Sequence, residues 1–193
     1  MNLGHIIGVI FIFSLFLVMS EVSSESLDYD VLNIDLGEDV TISNSDIWLN
    51  GDILVDGNLS IENSHINVNR SNDLTISEIR INSTGELRIL NSTISAYSND
   101  TLSYSMFTIV SDAGSLIISG TSIDYSMVWL VGGDASIEDT SLNGHNIVNY
   151  GVFSEDTILT MDNVLISNYT LGLRSIGSIP LQYQVTCSNC STW

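Results

Sequence analysis

Leu59-Ser60-Ile61-Glu62-Asn63-Ser64-His65-Ile66 decides the fold, because the same eight-residue pattern recurs five more times. It recurs as Val40 to Ile47 (VTISNSDI), Leu87 to Ile94 (LRILNSTI), Leu116 to Ile123 (LIISGTSI), Ala135 to Leu142 (ASIEDTSL) and Leu159 to Ile166 (LTMDNVLI). The shared rule is apolar, any, apolar, any, then Asn, Asp or Gly, usually Ser or Thr, any residue, and Ile or Leu. Successive copies start 19, 28, 29, 19 and 24 residues apart. A unit that returns every few tens of residues marks a solenoid, in which no unit buries its apolar side without a neighbour.

Within the phrase, alternation puts Leu59 and Ile61 on one face of a short strand and turns Ser60 the other way. Asn63 then ends the strand, since Asn, Asp and Gly tolerate the left-handed backbone of a sharp corner. Ile66 re-enters the interior from a second strand. A third strand lies upstream of each phrase, at Leu32–Ile34, Ile53–Val55, Ile79–Ile81, Phe107–Ile109, Trp129–Val131 and Gly151–Phe153. Short polar turns with Gly37, Gly57, Gly85, Gly114 and Gly133 connect this third strand to the phrase.

Three strands and three corners per turn describe one coil of a parallel β-helix. From about Leu27 onward the sequence resembles the right-handed parallel β-helix proteins of the pectin-lyase-like superfamily. The resemblance implies an all-β right-handed solenoid of about six to seven coils, built from repeats that bury a continuous core. It implies little about activity, because that architecture carries lyases, hydrolases, adhesins and passive surface proteins alike.

In-register coils predict an internal column of Ile42, Ile61, Ile89, Ile118, Ile137, Met161 and Val185, the last from a seventh phrase at Tyr183 to Cys190. Leu59, Leu87, Leu116 and Leu159 form its neighbour. A structural corner ladder of Asn44, Asn63, Asn91, Gly120, Asp139 and Asn163 is predicted beside them, with side-chain amides bonding from coil to coil.

The chain has 193 residues, a net charge of −19, one Pro and two Cys. This length allows one domain with a real core. Its basic residues are Arg70, Arg80, Arg88 and Arg174, with no Lys. So acidic a chain repels phosphate backbones and excludes nucleic acid as a partner. Its charge suits a cation-rich medium that screens self-repulsion.

Residues 4–19 form an almost unbroken apolar run, shorter than the ~20 residues of a membrane-spanning helix. It reads as an apolar helix belonging to a signal peptide cleaved near Ser20 to Ser24; a retained N-terminal anchor is the alternative. Residues 1–24 are therefore set apart from a solenoid over 25–193, with Ser23 to Asp30 as a polar leader. The expected location is extracellular or at the cell surface, with membrane contact only through the N-terminal segment if it is uncleaved. Wider loops are expected at Asn67 to Leu74 and Ala96 to Tyr104. The last coil leaves an open end, to be sealed by further coils of a longer protein, another subunit or the Cys pair.

Sequons stand at Asn58, Asn69, Asn82, Asn91, Asn99, Asn168 and Asn189. Asn69, Asn82 and Asn99 are the best glycosylation candidates, while Asn91, in the corner ladder, is expected to stay bare. Turn carboxylates at Asp39, Asp56, Glu86, Asp112, Asp134 and Asp156 suggest a weak Ca²⁺ column, with Asp112, Asp134 and Asp156 as its candidates. Turn propensity explains the same residues without a metal. Cys187 and Cys190 read as a local disulfide; a zinc half-site would need a second pair.

Enzymes that share the architecture and act on acidic polysaccharides use clustered Asp, an Arg or Lys base, or His in a Gly-His-Gly turn. The nearest match here is Gly144-His145-Asn146, without a paired Asp beside it in sequence. The outward phrase positions Thr41, Ser60, Arg88, Ile117, Ser136 and Thr160 make a poor active site. Trp48, Trp129, Tyr97, Tyr104 and Tyr125 would stack on sugar rings where exposed. The expectation is a non-catalytic spacer, adhesin or carbohydrate-binding module, with polysaccharide or a cell-surface glycan as partner. A polysaccharide lyase or glycoside hydrolase is the alternative.

Overall fold

The computed structural model describes residues 26–70, 77–98, 106–177 and 180–190. The apolar run at 4–19, with its cleavage region, lies outside them. The described chain runs through β1 (Ser26–Tyr29), β2 (Leu32–Ile34), β3 (Asp39–Ser43), β4 (Asp46–Leu49), β5 (Ile53–Val55), β6 (Asn58–Glu62), β7 (His65–Arg70) and β8 (Ser77–Ile81). It continues through β9 (Glu86–Leu90), β10 (Thr93–Ser98), β11 (Phe107–Asp112), β12 (Ser115–Ser119), β13 (Ser122–Asp124), β14 (Ser126–Val131) and β15 (Asp134–Glu138). The last strands are β16 (Ser141–Asn143), β17 (Tyr150–Glu155), β18 (Ile158–Asp162), β19 (Leu165–Ser167), β20 (Leu171–Ile176), β21 (Leu181–Tyr183) and β22 (Thr186–Ser188).

Every third strand joins the same sheet. Sheet one has eight strands, β1 to β22 in steps of three; sheet two has seven, β2 to β20; sheet three has seven, β3 to β21. All neighbours pair in parallel, as in Ile61↔Ile89 and Ile89↔Ile118. Three parallel sheets visited in rotation are the architecture of a parallel β-helix.

Alternation and register together build the core. Ile42, Ile61, Ile89, Ile118, Ile137 and Met161 stack in sheet three, and Ile47, Ile66, Ile94, Ile123, Leu142 and Ile166 stack in sheet one; all are buried. Removing each from water contributes about 1.5 to 3 kcal/mol.

Three expectations are corrected. Val185 does not continue the Ile61 column: Met161 pairs with Gln182, and Val185 sits three residues later at the corner. The reason is that Leu165 and Ile166 must meet Thr186 and Cys187, which fixes the register of the last coil from sheet one. The strand expected over Trp129–Val131 is present within β14, with Val128 and Leu130 buried and Trp129 pointing out. That phase stacks Val128 between Ile109 and Val152 and leaves the bulky indole outside the narrow aliphatic column.

The leader at Ser23 to Asp30 contributes a strand, since β1 pairs with β4 over Ser26–Tyr29. The wide loops are shorter than expected: β7 and β10 extend to Arg70 and Ser98 and pair across six positions. The rest of both loops lies outside the described residues.

Candidate functional site

The corner after each sheet-three strand is built from backbone strain that Asn, Asp and Gly absorb. Asn44, Asn63, Asn91, Gly120, Asp139 and Asn163 all have φ between 48° and 62°. Each donates its N–H to the carbonyl of the residue ending the strand in the next coil, as in Asn63 to Leu90 at 3.0 Å and Asn91 to Ser119 at 2.9 Å. A side-chain link between members is seen from Asn163 Nδ2 to Asp139 Oδ1 at 2.7 Å. Gly120 is small because the Asn91 amide lies over it, where a Cβ would collide.

Directly inside that corner runs a second stack that the sequence rule contained only as "usually Ser or Thr". Ser45, Ser64, Ser92, Thr121 and Thr140 are buried. Ser64 Oγ accepts the N–H of Ser45 at 3.2 Å, and Ser92 Oγ accepts that of Ser64 at 3.1 Å. Each hydroxyl donates back to a carbonyl two residues earlier, at 2.6–2.9 Å. Buried corner amides are thereby satisfied, which is the condition for a sharp bend in an apolar interior.

The turn carboxylates do not form a column. Asp39, Glu86 and Asp134 share one register position, but Asn58 and Ser115 separate them. Asp112 pairs instead with Val131, and Asp156 occupies a left-handed corner with φ 50°. Asp39 and Asp56 accept hydrogen bonds from Asn58 and Asn82, neighbours one coil on. Among the described residues no group of three His, Cys, Asp or Glu converges on a metal position. Asp112, Asp134 and Asp156 thus lie at three different places in the turn, which removes the geometric basis for the Ca²⁺ column.

Of the sequon residues, Asn82 has its amide on Asp56 Oδ1 at 2.8 Å, and Asn168 has its amide on Asn143 Oδ1 at 2.9 Å. Asn91 is exposed at its corner. Asn99 and Tyr104 lie outside the described residues, and Asn69 and Tyr97 are described only as backbone positions in β7 and β10. Cys187 and Cys190 are joined in a disulfide, with Cα atoms 6.0 Å apart. Their sulfurs approach Gly172, where any side chain would be displaced.

Two outward features carry chemistry. The first is a corner between sheets one and two where coil stacking brings Asp124, Tyr125, Asn143 and His145 together. His145 Nε2 lies 3.1 Å from Asp124 Oδ1 and 2.8 Å from Asn143 Nδ2, and its ring stacks on Tyr125 at 4.0 Å. Asn143 Oδ1 accepts from the His145 N–H and from Asn168 Nδ2, so the Asn143 amide faces Nε2 with its donor side. A neutral ring nitrogen accepts from Asn143 and a protonated one donates to Asp124; it cannot do both. Below this corner Tyr169 is buried and donates its hydroxyl to the Ser126 carbonyl at 2.8 Å. Burial first, and then the Asp124 charge, push its phenol well above the ordinary tyrosine range.

The second feature is the outer face of sheet two. Register places Leu54, Arg80, Val110, Trp129, Phe153 and Arg174 in one outward line. Trp129 and Phe153 have centroids 5.2 Å apart, Tyr150 meets Phe153 edge-on at 5.9 Å, and the Arg174 guanidinium lies 5.8 Å over the Phe153 ring. Arg80 is paired with Glu78 at 2.7 Å and Arg88 with Glu86 at 3.7 Å. Arg174 instead donates to the Tyr150 hydroxyl at 3.3 Å.

Sequence spacing did not expose either feature. Asp124 and His145 are 21 residues apart and meet only because one coil lies on the next. Phe153 and Tyr150 were not singled out because alternation says which side of a strand a residue faces, not which outward residues line up. Compared with known proteins, the chain matches no family model, no curated protein and no solved structure.

Proposed function

We propose that this is a secreted or cell-surface right-handed parallel β-helix of the pectin-lyase-like kind, acting without catalysis as a carbohydrate-binding module or adhesin. The handedness follows the strong bias of parallel crossover connections. The observation that carries the binding role is the outward line of Trp129, Phe153 and Arg174, with Tyr150 edge-on against Phe153. Flat aromatic faces stack on the C–H faces of pyranose rings, and a guanidinium bonds hydroxyl or acidic groups beside them. Strands stacked about 4.8 Å apart give a polymer laid along the axis repeated footholds.

The test is retention of the protein on a panel of acidic and neutral polysaccharides, with chain length of each polymer scored in parallel. Retention that is lost in Trp129→Ala/Phe153→Ala, without polymer shortening, supports the module. Absence of retention leaves the spacer role, and shortening supports the lyase or hydrolase. The Asp124–His145 pair is the observation that favours that enzyme reading, because it joins an outward imidazole to a carboxylate. Shortening that vanishes in His145→Ala would locate it there.

A further inference from the structure

Five sequon asparagines have described side chains, and four of them are already held by neighbours. Asn58 donates its amide to Asp39 and Asn82 donates to Asp56. The sequon hydroxyls two residues further on are engaged as well, Ser60 by Glu62 Oε1 and Thr84 by the Asp56 carbonyl. Asn168 donates to Asn143 Oδ1, and Thr170 is engaged too. Asn189 donates to Asn168 Oδ1 and precedes a cysteine locked in the disulfide. Asn91 is the exception. Among the described residues, neither its side-chain amide nor the hydroxyl of Thr93 makes a hydrogen bond, and both residues are exposed. The link that Asn163 makes to Asp139 has no counterpart between Asn91 and Gly120, which has no side chain to bond.

We propose that Asn91 carries an N-linked glycan, which reverses the expectation that it stays bare. The corner turns Ser92 inward, where it is buried, and leaves Asn91 and Thr93 together on the outside. Those are the two groups that the sequon presents to a transferase. In the transfer, Asn91 Nδ2 bonds the anomeric carbon of a polyprenyl-pyrophosphate-linked oligosaccharide as the bond from that carbon to the phosphate oxygen breaks. The lipid pyrophosphate leaves, and the amide gives up one proton to solvent. At Asn82 or Asn168 the same sugar has to be fitted around an existing hydrogen bond; at Asn91 it does not. The surface on both sides of Asn91 is an open polar recess, bounded by His65 on one side and Ser122 on the other, that admits the first sugar. This corner lies between sheets three and one, so the glycan leaves the aromatic line on sheet two uncovered. The inference rests on the proposed export, because lipid-linked donors are used beyond the export membrane, and not on carbohydrate binding.

Intact-glycopeptide mass spectrometry tests it on the full chain, produced with its own leader in a secretory yeast host and recovered separately from medium and cells. In the exported protein the Asn91 peptide should carry a glycan. Thr93→Ala should remove that one glycan mass and Thr93→Ser should keep it; Thr93 is exposed, so neither variant disturbs the core. Asn91→Gly should lose the same mass with an unchanged sheet signal in circular dichroism, since Gly120 holds the same left-handed corner one coil on. An exported chain whose Asn91 is bare overturns the inference and leaves export standing. A chain confined to the cells with every sequon bare overturns both.

Discussion

The middle of the solenoid and its last coil follow the same winding but differ in what fills them. From Ile61 to Met161 one interior position of sheet three is occupied by buried aliphatic or thioether side chains, and the next coil places exposed Gln182 there. The hydroxyl stack likewise runs from Ser45 to Thr140 and gives way to Val164. At the end of the stack, half-buried Val185 and the Cys187–Cys190 disulfide stand in their place. Interior character here is not a property of a position within the repeat. It depends on the residue that the sequence supplies there and on what packs beside it: Ile34 and Ile42, on strands that end their sheets, are still buried, whereas Gln182 is exposed.

The largest test of that contrast is Ile89→Asp, which buries an unpaired carboxylate between Ile61 and Ile118. No soluble, cooperatively unfolding product is expected; a folded variant with unchanged thermal stability would show that the column is not continuous. Next in size is a matched pair. Ile118→Ala, at a buried position, is expected to lower unfolding free energy by about 2 to 5 kcal/mol. Val185→Ala, at the half-buried end, should cost well under half as much in the same denaturant titration. Equal losses would erase the distinction between middle and end.

A smaller effect than that of Ile118→Ala belongs to Tyr169, which bridges the two regions by reaching from the corner after β19 to the carbonyl of Ser126. Tyr169→Phe removes one buried hydrogen bond and leaves that carbonyl without its phenol donor, a loss of about 1 to 3 kcal/mol. The pH dependence has a definite sign. In the unfolded chain the phenol releases its proton near 10.0, whereas the folded protein holds it to higher pH. The stabilisation is therefore fully present below pH 10 and declines as pH rises beyond it. Denaturant midpoints measured across that range should fall more steeply in the wild type than in Tyr169→Phe.

The spine was legible because it needs only period-two alternation and a recurring corner residue. Ile42, Ile61, Ile89, Ile118, Ile137 and Met161 all satisfy both. The last coil was misread by three residues because Tyr183 and Val185 imitate the apolar alternation, while the true register is set by a different sheet, through Ile166 and Cys187. The outward direction of Trp129 was not legible, because Trp129–Val131 and Val128–Leu130 are both apolar-spaced, and only stacking on Ile109 and Val152 chooses between them. The His145 corner was partly visible as Gly144-His145-Asn146. Its acidic partner was hidden by the 21 residues between them, a separation that only the winding collapses.

The direction of the inner hydroxyl stack has a consequence for how the chain is made. The amide of Ser45 is satisfied by Ser64, that of Ser64 by Ser92 and that of Ser92 by Thr121, always by the residue synthesised later. During translation, then, each bend stays incomplete until the following winding has emerged, and maturation trails the ribosome by about one turn. A pause inside a long spacing, such as that between Leu59 and Leu87, would hold the preceding bend unsealed for its whole duration.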